Sequence, residues 1–235
     1  MYELVVTATA EDAAREAARR VACAIRDARA ARGVAHVALA GGGTPRRAYE
    51  LLAPQLADWR DVHLWFGDER CVPPDDPDSN HRLVRESLLA RVEIPADRVH
   101  RIRGELPPAQ AAAAYADELV RVVPPSPGGV PRLDLALLGV GADGHTASLF
   151  PGDPALDAPE LCRAVRAPVR PAERVTLGLG VLRAARAALI LAAGTGKAPA
   201  VAAALRGPDP DVPASLLPSG TTVVLADREA AADAG

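Results

Sequence analysis

The stretch Leu133–Pro151, LDLALLGVGADGHTASLFP, decides the fold. It begins with a mainly apolar run, residues 133–138, which predicts a buried strand. A glycine-rich turn, residues 139–144, follows, and glycine allows a tight turn with an exposed backbone. Asp143 and His145 stand in this turn, where a parallel strand would pass into a helix. Open α/β sheets bind their ligands at the carboxyl ends of their strands, so this pair is the first candidate site.

Strand-like and helix-like segments alternate on either side of this stretch. The alternation predicts an α/β fold with a mainly parallel sheet covered on both faces, and a chain of 235 residues without internal repeats favours one domain over residues 1–235. The predicted strands are residues 4–7, 34–40, 62–66, 133–138, 174–177, 188–193 and 221–226. The predicted helices are residues 11–32, 45–53, 80–88, 108–122 and 181–186, together with one that begins at residue 197 and a frayed helix in the tail. Thr44 and Ser79 are the predicted N-caps, and a proline-rich loop is expected up to Pro171.

Composition excludes several classes of function. The net charge is −3 and no Lys/Arg block is present, so we expect no nucleic-acid partner. The chain starts without a basic and apolar signal segment and contains no apolar run of about 20 residues, which predicts a cytoplasmic protein with no membrane association. Cys23, Cys71 and Cys162 are few and scattered, so neither a disulfide framework nor a zinc cluster is expected.

Four predicted strands end in turns that carry glycine, acidic or basic residues. The turns are Gly41–Thr44, Gly67–Arg70, Gly139–His145 and Gly194–Lys197. Because the carboxyl ends of parallel strands meet at one edge of a sheet, we expect the four turns to converge there. Each turn alone is a weak signal, and their convergence is the strongest indication of a site.

The first and last of these turns suit an anion. Gly42, Gly43 and Thr44 offer backbone N–H groups at a helix N-terminus, although a tight turn without a ligand is an equally good interpretation. The Walker pattern is absent, so one phosphate fits better than a triphosphate. Lys197, the only lysine of the chain, can place a point charge on that phosphate, or can simply be a solvated helix residue.

Three arginines are further candidates for phosphate binding. Arg70 and Arg174 could clamp the anion with paired hydrogen bonds, and Arg46 stands in the helix that follows the first turn. The sequence leaves open which of them bind, because most arginines of the chain must lie on the surface.

Residues Gly139–Gly144 formally match the dinucleotide fingerprint Gly-x-Gly-x-x-Gly. That motif also needs an acidic residue at the end of a strand about 20 residues further on, and here that region is rich in proline. Asp143 would also bring a negative charge against the pyrophosphate. A nicotinamide or flavin cofactor is therefore not predicted.

His145, with Asp143 beside it, is a candidate general base. The four other histidines, at positions 36, 63, 81 and 100, are interpreted as structural or exposed residues. None of the histidines has the spacing of a metal ligand set, and no serine stands in Gly-x-Ser-x-Gly. The residues thus favour a phosphate-anchored small substrate that is hydrolysed or rearranged through a His/Asp pair.

Five ordered blocks together resemble the 6-phosphogluconolactonase family. The blocks are Ala40–Pro45, Trp65–Arg70, Ser79–Asn80, Gly139–Pro151 and Glu173–Leu177. The resemblance implies a Rossmann-like, modified three-layer fold shared with glucosamine-6-phosphate deaminases and ribose-5-phosphate isomerase. It also implies hydrolysis of 6-phospho-D-glucono-1,5-lactone, a step of the oxidative pentose phosphate pathway, without metal or cofactor.

The resemblance implies roles for individual residues. His145, Asp143 and Asp68 are the expected catalytic residues, and the main partner of His145 is either Asp143 or Asp68. The expected substrate-binding residues are Gly42, Gly43, Thr44, Arg46, Arg70, Asn80, Arg174 and Lys197. The resemblance leaves the oligomeric state open between monomer and dimer.

Two other functions remain as alternatives. Deaminases resemble this sequence but carry a glutamate five residues after the histidine, where this chain has Phe150, and a phenyl ring cannot shuttle the protons of ring opening. The second alternative is a sugar-phosphate-binding module without chemistry. Such modules usually carry an additional DNA-binding domain, for which the residues before Val34 leave no room.

Overall fold

The computed structural model describes residues 2–234, which form nine strands and six α-helices joined by short 3₁₀ turns. The strands are β1 (Glu3–Thr7), β2 (Ala35–Leu39), β3 (Val62–Phe66), β4 (Asp68–Arg70), β5 (Leu135–Gly139), β6 (Cys162–Arg166), β7 (Glu173–Leu177), β8 (Ala188–Ala192) and β9 (Thr222–Asp227). The helices are α1 (Ala10–Arg32), α2 (Gly43–Leu52), α3 (Asn80–Ser87), α4 (Pro108–Val122), α5 (Leu179–Ala184) and α6 (Ala198–Leu205).

A six-stranded parallel sheet in the order β1-β9-β8-β5-β2-β3 forms the centre of the molecule and confirms the predicted α/β class. From β2 the chain proceeds outward to β3, whereas from β5 it proceeds in the opposite direction to β8 and β9. This reversal makes the β2/β5 boundary the topological switch point, where an open α/β sheet forms a crevice at its carboxyl edge. The four turns singled out in the sequence follow β3, β2, β5 and β8, which are consecutive neighbours in the sheet.

Both faces of the sheet are covered, because every residue of β2, β3 and β8 is buried. Helix α1 covers part of this sheet with small residues, mainly alanines, and it begins at the N-cap Thr9 and ends at Gly33, whose backbone is left-handed. Tyr115 of α4 docks on β3: its hydroxyl accepts from the backbone N–H of Phe66 at 2.7 Å and donates to the carbonyl of the same residue at 3.1 Å. These two hydrogen bonds hold α4 against β3, whose carboxyl end carries the turn Gly67–Arg70.

A second, three-stranded antiparallel sheet in the order β4-β7-β6 lies beside the parallel one, and the sequence did not predict it. The strand expected at residues 174–177 exists, but it belongs to this small sheet. The expected loop up to Pro171 was wrong over Cys162–Arg166, because that strand is short, carries two arginines and is only partly buried. The small sheet pairs Arg70 with Arg174 and so brings two arginines to the same place.

Three predicted element ends can be compared with the structure. Ser79 is confirmed as the N-cap of α3, since its hydroxyl accepts from the N–H of Arg82. The prediction for Thr44 was wrong, because α2 begins two residues earlier than predicted, at Gly43, with Gly42 as its N-cap. The tail, residues 228–234, forms turns and not a helix, because Asp227 holds the N–H groups of Ala230 and Gly194 and fixes the chain there. Within residues 2–234 no helix has the length and apolarity to cross a membrane.

Candidate active site

A cavity of about 250 Å³ lies beyond the carboxyl ends of β2 and β5, at the switch point of the parallel sheet. All four turns contribute to it. Its lining comprises Ala40, Gly41, Gly42, Asp68, Arg70, Asn80, Gly139, Val140, Gly141, His145, Ala147, Arg174 and Lys197. The sheet edge therefore brings together residues up to 157 positions apart in sequence (from Ala40 to Lys197).

His145 and Asp143 form a directly bonded pair at the cavity. The imidazole Nδ1 lies 2.6 Å from Asp143 Oδ1, and the same oxygen accepts from the backbone N–H of His145 at 3.2 Å. Gly141 makes room for the pair, because a Cβ at this position would lie 2.1 Å from His145 Nδ1 and 2.4 Å from Asp143 Oδ1. Asp143 is thus the carboxylate partner of His145, which answers the question that the sequence left open.

The hydrogen bond within this pair determines which ring nitrogen of His145 stays free. Partial burial by itself would raise the pKa of Asp143, but the charge and hydrogen bonds of His145 outweigh it, and the pKa is lowered. In the neutral form of the ring, the carboxylate accepts the Nδ1–H, and this tautomer leaves Nε2 with a free lone pair. About 27% of the His145 side chain is exposed, so a water molecule can reach that nitrogen.

The backbone after His145 is strained. Ala147, which lines the cavity, has a φ of 51°, and a left-handed conformation costs an L-residue about 1–2 kcal/mol. The turn is held by the hydroxyl of Thr146, which donates to the carbonyl of Gly139 at 2.9 Å, and by the N–H of Gly141, which donates to the carbonyl of His145 at 2.8 Å. These bonds return the chain to the end of β5 and fix where the imidazole stands.

Asp68 belongs to a different hydrogen-bond network. It is 6% exposed, its Oδ2 accepts from the hydroxyl of Ser148 at 2.6 Å, and its Oδ1 accepts from the side-chain amide of Asn80 at 3.3 Å. The backbone N–H of Ser148 in turn lies 3.2 Å from the hydroxyl of Thr176 in β7. Asp68 therefore faces the cavity as a carboxylate fixed by two neutral donors, separate from the Asp143–His145 pair.

Glu69 is a structural residue that the sequence analysis did not single out. Its carboxylate accepts from the N–H groups of Asn80 and His81, both at 2.7 Å, at the start of α3. Burial raises its pKa, and these backbone hydrogen bonds oppose the rise. By holding the start of α3, Glu69 places the Asn80 side chain against Gly41, where a Cβ would lie only 1.8 Å from Asn80 Oδ1.

Three cations line the cavity without a carboxylate partner. Within residues 2–234, no acidic side chain lies within ion-pair distance of Arg70, Arg174 or Lys197. Arg70 donates to the carbonyl of Asp78, while its Nε is buried without a partner in the described part of the chain. Burial, and then the neighbouring charge of Arg70, lower the pKa of Arg174. Two adjacent guanidinium groups and an ammonium group in one cavity create a site for an anion.

The remaining predicted phosphate ligands lie at the rim. Gly42 lines the cavity, and Gly43 and Thr44 follow it in the first turn of α2, where backbone N–H groups are free of intrahelical partners. Arg46 is not among the lining residues and forms an ion pair with Glu86 at 3.1 Å. The geometry thus groups Gly42, Arg70, Arg174 and Lys197 and leaves Arg46 engaged elsewhere.

A wider groove of about 900 Å³ lies elsewhere, between residues 53–60 and 91–95. Its described lining contains no histidine and no convergent set of unpaired cations, so chemistry favours the smaller cavity. In the part of the chain that the structure describes, no group of three or more His, Cys, Asp or Glu side chains is placed to hold a metal ion.

Comparisons with known proteins give relatives that match over nearly the whole chain. The family model "Glucosamine-6-phosphate isomerases/6-phosphogluconolactonase" matches residues 8–225. A 6-phosphogluconolactonase from Mycobacterium tuberculosis is 41% identical over 226 residues, which covers 92% of each chain. The solved structure of a 6-phosphogluconolactonase from Trypanosoma brucei superimposes with a TM-score of 0.87 at 29% identity over 100% of this chain and 99% of that one. A monomeric glucosamine-6-phosphate deaminase shares the fold, with a TM-score of 0.83 at 23% identity over 98% and 99% of the two chains.

Proposed function

The chain belongs to the family of glucosamine-6-phosphate isomerases and 6-phosphogluconolactonases, and from that premise we propose that it hydrolyses 6-phospho-D-glucono-1,5-lactone to 6-phosphogluconate. The observation that carries the proposal is the cavity at the switch point, which is lined both by His145 of the His145–Asp143 pair and by three cations that have no acidic partner within residues 2–234. The first element supplies a base for water, and the second suits a phosphate. A lactone with a phosphate at one end needs both.

The phosphate is bound, in this proposal, by the first turn of α2 and by the cations of the cavity. Backbone N–H groups of Gly42, Gly43 and Thr44 donate to its oxygens, and Lys197 neutralises its charge. Arg70 and Arg174 complete the anion site, whereas Arg46 of α2 is paired with Glu86 and takes no part in it. Asn80 and Asp68 bind sugar hydroxyl groups, since they offer a donor and an acceptor fixed by buried hydrogen bonds.

The chemical step uses the free nitrogen of His145. Nε2 takes a proton from a water molecule, and the resulting hydroxide attacks C1 of the lactone to give a tetrahedral intermediate. The intermediate collapses with cleavage of the bond from C1 to the ring oxygen, and the imidazolium returns its proton to that oxygen. Asp143 holds the tautomer and stabilises the charged ring while the proton is on it. Anchoring the phosphate holds C1 close to the base and replaces a bimolecular encounter with a positioned one.

Two further expectations accompany this function. We expect residues 1–235 to act as one domain, supported by the way β4 and β7 of the small sheet bring Asp68, Arg70 and Arg174 to the end of the parallel sheet. We expect the enzyme to act in the cytoplasm, where sugar phosphates are metabolised, without a metal, cofactor or nucleic acid.

The test is hydrolysis of freshly generated 6-phosphogluconolactone, measured beside release of ammonia from glucosamine 6-phosphate. We expect lactone hydrolysis above the spontaneous rate and no ammonia release. Ammonia release without lactone hydrolysis would favour the deaminase activity. Binding of 6-phosphogluconate without turnover of either compound would indicate a binding module.

A further inference from the structure

The phenyl ring of Phe150 contacts two different groups of the candidate active site. It lies five residues after His145 and is 5% exposed. Its centroid is 4.7 Å from that of the His145 imidazole, with the two rings tilted by 46°. The guanidinium carbon of Arg174 lies 5.8 Å from the same centroid, within the range of a cation–π contact. One buried ring therefore touches both the base and a cation of the anion site.

Each of these two side chains makes one hydrogen bond in the described chain, which leaves its orientation only partly fixed. The His145 side chain has one hydrogen-bond partner in the described chain, the half-exposed Asp143, and a bond at Nδ1 fixes the position of that atom but not the plane of the ring. The Arg174 side chain donates from Nε to the carbonyl of Pro171 at 3.1 Å and has no acidic partner within residues 2–234. A rigid ring packed against each of them can supply the missing constraint, because tilted aromatic pairs and cation–π contacts have preferred geometries.

We propose that Phe150 is a positioning residue that fixes the orientation of the His145 ring and of the Arg174 guanidinium relative to each other. This inference rests on the proposed function. The substrate spans the two groups, with its lactone carbon at His145 and its anionic end at the cations. Phe150 therefore sets the distance at which a bound substrate meets the base, and a displacement of about 1 Å there can lower the rate by about 10²-fold.

The experiment compares Phe150→Leu with Phe150→Tyr and with Phe66→Leu. Leucine retains much of the apolar volume but removes the ring, whereas tyrosine retains the ring. Phe66 is the other phenylalanine of the chain and is fully buried, and its aromatic neighbour is His81 at 6.0 Å, so Phe66→Leu is a matched control for the loss of a buried ring. For each variant, kcat and KM for 6-phosphogluconolactone are measured beside Tm.

We expect Phe150→Leu to lower kcat by about 10- to 100-fold and to raise KM severalfold, because both the base and the anion site lose their support. Phe150→Tyr, which keeps the ring, should have kcat and KM within about threefold of the wild-type values. Phe66→Leu should lower Tm at least as much while kcat and KM stay close to wild type. Equal losses of activity in the two leucine variants, or a change in only one of the two constants for Phe150→Leu, would overturn the inference.

A second measurement separates this inference from the proposed function. The NMR resonances of the His145 ring, identified by their loss in His145→Ala, carry a ring-current displacement from Phe150 in the wild-type protein. We expect the displacement to disappear in Phe150→Leu and to persist in Phe66→Leu. A wild-type protein that hydrolyses no lactone overturns the proposed function even if the displacement is present. An active wild-type protein in which Phe150→Leu leaves the His145 resonances unmoved overturns only the role of Phe150.

Discussion

Two groups of histidines occupy opposite ends of the same parallel sheet. His145 stands beyond the carboxyl end of β5 with 27% of its side chain exposed. His36 and His63 are near the amino ends of β2 and β3, where each is 4% exposed, and His100 packs beside them with the same exposure. The His63 ring lies 4.5 Å from that of His36 and 5.0 Å from that of His100, measured between centroids. Both groups consist of histidine, but they differ in exposure to solvent and in hydrogen-bond partners.

Two members of the buried group, His63 and His100, form a hydrogen-bonded chain that runs from Arg98 to Glu118. Arg98 can only donate, so Nε2 of His63 accepts from it, and Nδ1 of His63 then donates to Nε2 of His100 at 2.8 Å. His100 in turn donates from Nδ1 to Glu118 at 2.6 Å. Both nitrogens of His63 and of His100 are thus engaged, whereas His145 keeps Nε2 free in the described chain. A free nitrogen facing a cavity, and not the presence of histidine, distinguishes a candidate base from a structural residue.

The largest expected effect tests that distinction directly. His145→Ala should lower kcat by about 10²–10⁴-fold, the usual contribution of a general base, while KM and Tm stay close to the wild-type values. The buried counterpart His63→Leu should lower Tm and leave kcat near wild type, because His63 lies at the other end of the sheet. An unchanged kcat in His145→Ala would refute its role, as would a comparable loss of kcat in His63→Leu.

The next effect concerns the cations that face His145. Lys197→Met removes the charge and keeps most of the side-chain length, and we expect KM to rise by about 10- to 100-fold with kcat within about threefold of wild type, because a charge-assisted hydrogen bond to a ligand contributes about 1.5–3 kcal/mol. Lys197→Arg retains the charge and should raise KM less. A fall in kcat without a rise in KM would count against Lys197 as a phosphate ligand.

The sequence predicted the parallel sheet and the convergence of the four turns because both follow from local patterns. Buried strands are recognisable in a sequence as apolar runs. When such strands are parallel, the glycine turns that follow them lie at the same edge of the sheet. The proximity of Asp143 and His145 was predictable for the same reason, since the two residues stand in one turn, but the sequence left open whether Asp143 or Asp68 bonds to the imidazole. The structure confirms the parallel sheet and the convergence of the turns, whereas the local predictions of a Thr44 N-cap and of a helix in the tail were wrong.

Contacts between distant segments could not be predicted in this way. The small sheet joins β4 to β7 across about a hundred residues, and nothing in the sequence of β6 marks it as their partner. The bond from Ser148 to Asp68 spans 80 positions, and the contact of Phe150 with Arg174 depends on that sheet as well. Ser148 stood within the quoted stretch, and Phe150 was noted only as the position where deaminases carry a glutamate. The buried cluster of His36, His63 and His100 was equally unpredictable, because these residues have no common spacing in the sequence.

A third prediction uses the titration of the buried group. Burial, reinforced by the charges of neighbouring histidines and of Arg98, lowers the pKa of both His36 and His63 to about 4, against about 6.5 in an unfolded chain. Between these two values the unfolded chain binds more protons than the folded one. The free energy of unfolding should therefore fall as pH decreases from about 6.5 to about 4, by about 2 kcal/mol after allowance for screening by nearby solvent.

This prediction is measured by urea unfolding at a series of pH values for the wild type and for His63→Leu. Carboxylates with a lowered pKa, such as that of Asp143, also lose stabilisation in acid, but they contribute equally to both proteins. The difference between the two curves therefore isolates His63, and we expect the dependence on pH to be shallower in the variant. Parallel curves would show that His63 does not titrate differently in the folded and unfolded states.

The smallest expected effect tests the direction assigned to the buried chain. Glu118 is the final acceptor of that chain and its side chain is 31% exposed. Glu118→Gln keeps an oxygen that can accept from His100 Nδ1, so we expect a loss of less than about 1 kcal/mol in the free energy of unfolding, the difference between a charged and a neutral acceptor. Glu118→Ala leaves the donor of His100 unsatisfied and should lower the free energy of unfolding by about 1–3 kcal/mol.

If His100 were instead a buried imidazolium, the glutamine variant would leave its charge unpaired and lose about as much stability as the alanine variant. Equal losses in the two variants would therefore reverse the assignment, and with it the contrast between a neutral buried chain and a base that is free to accept a proton.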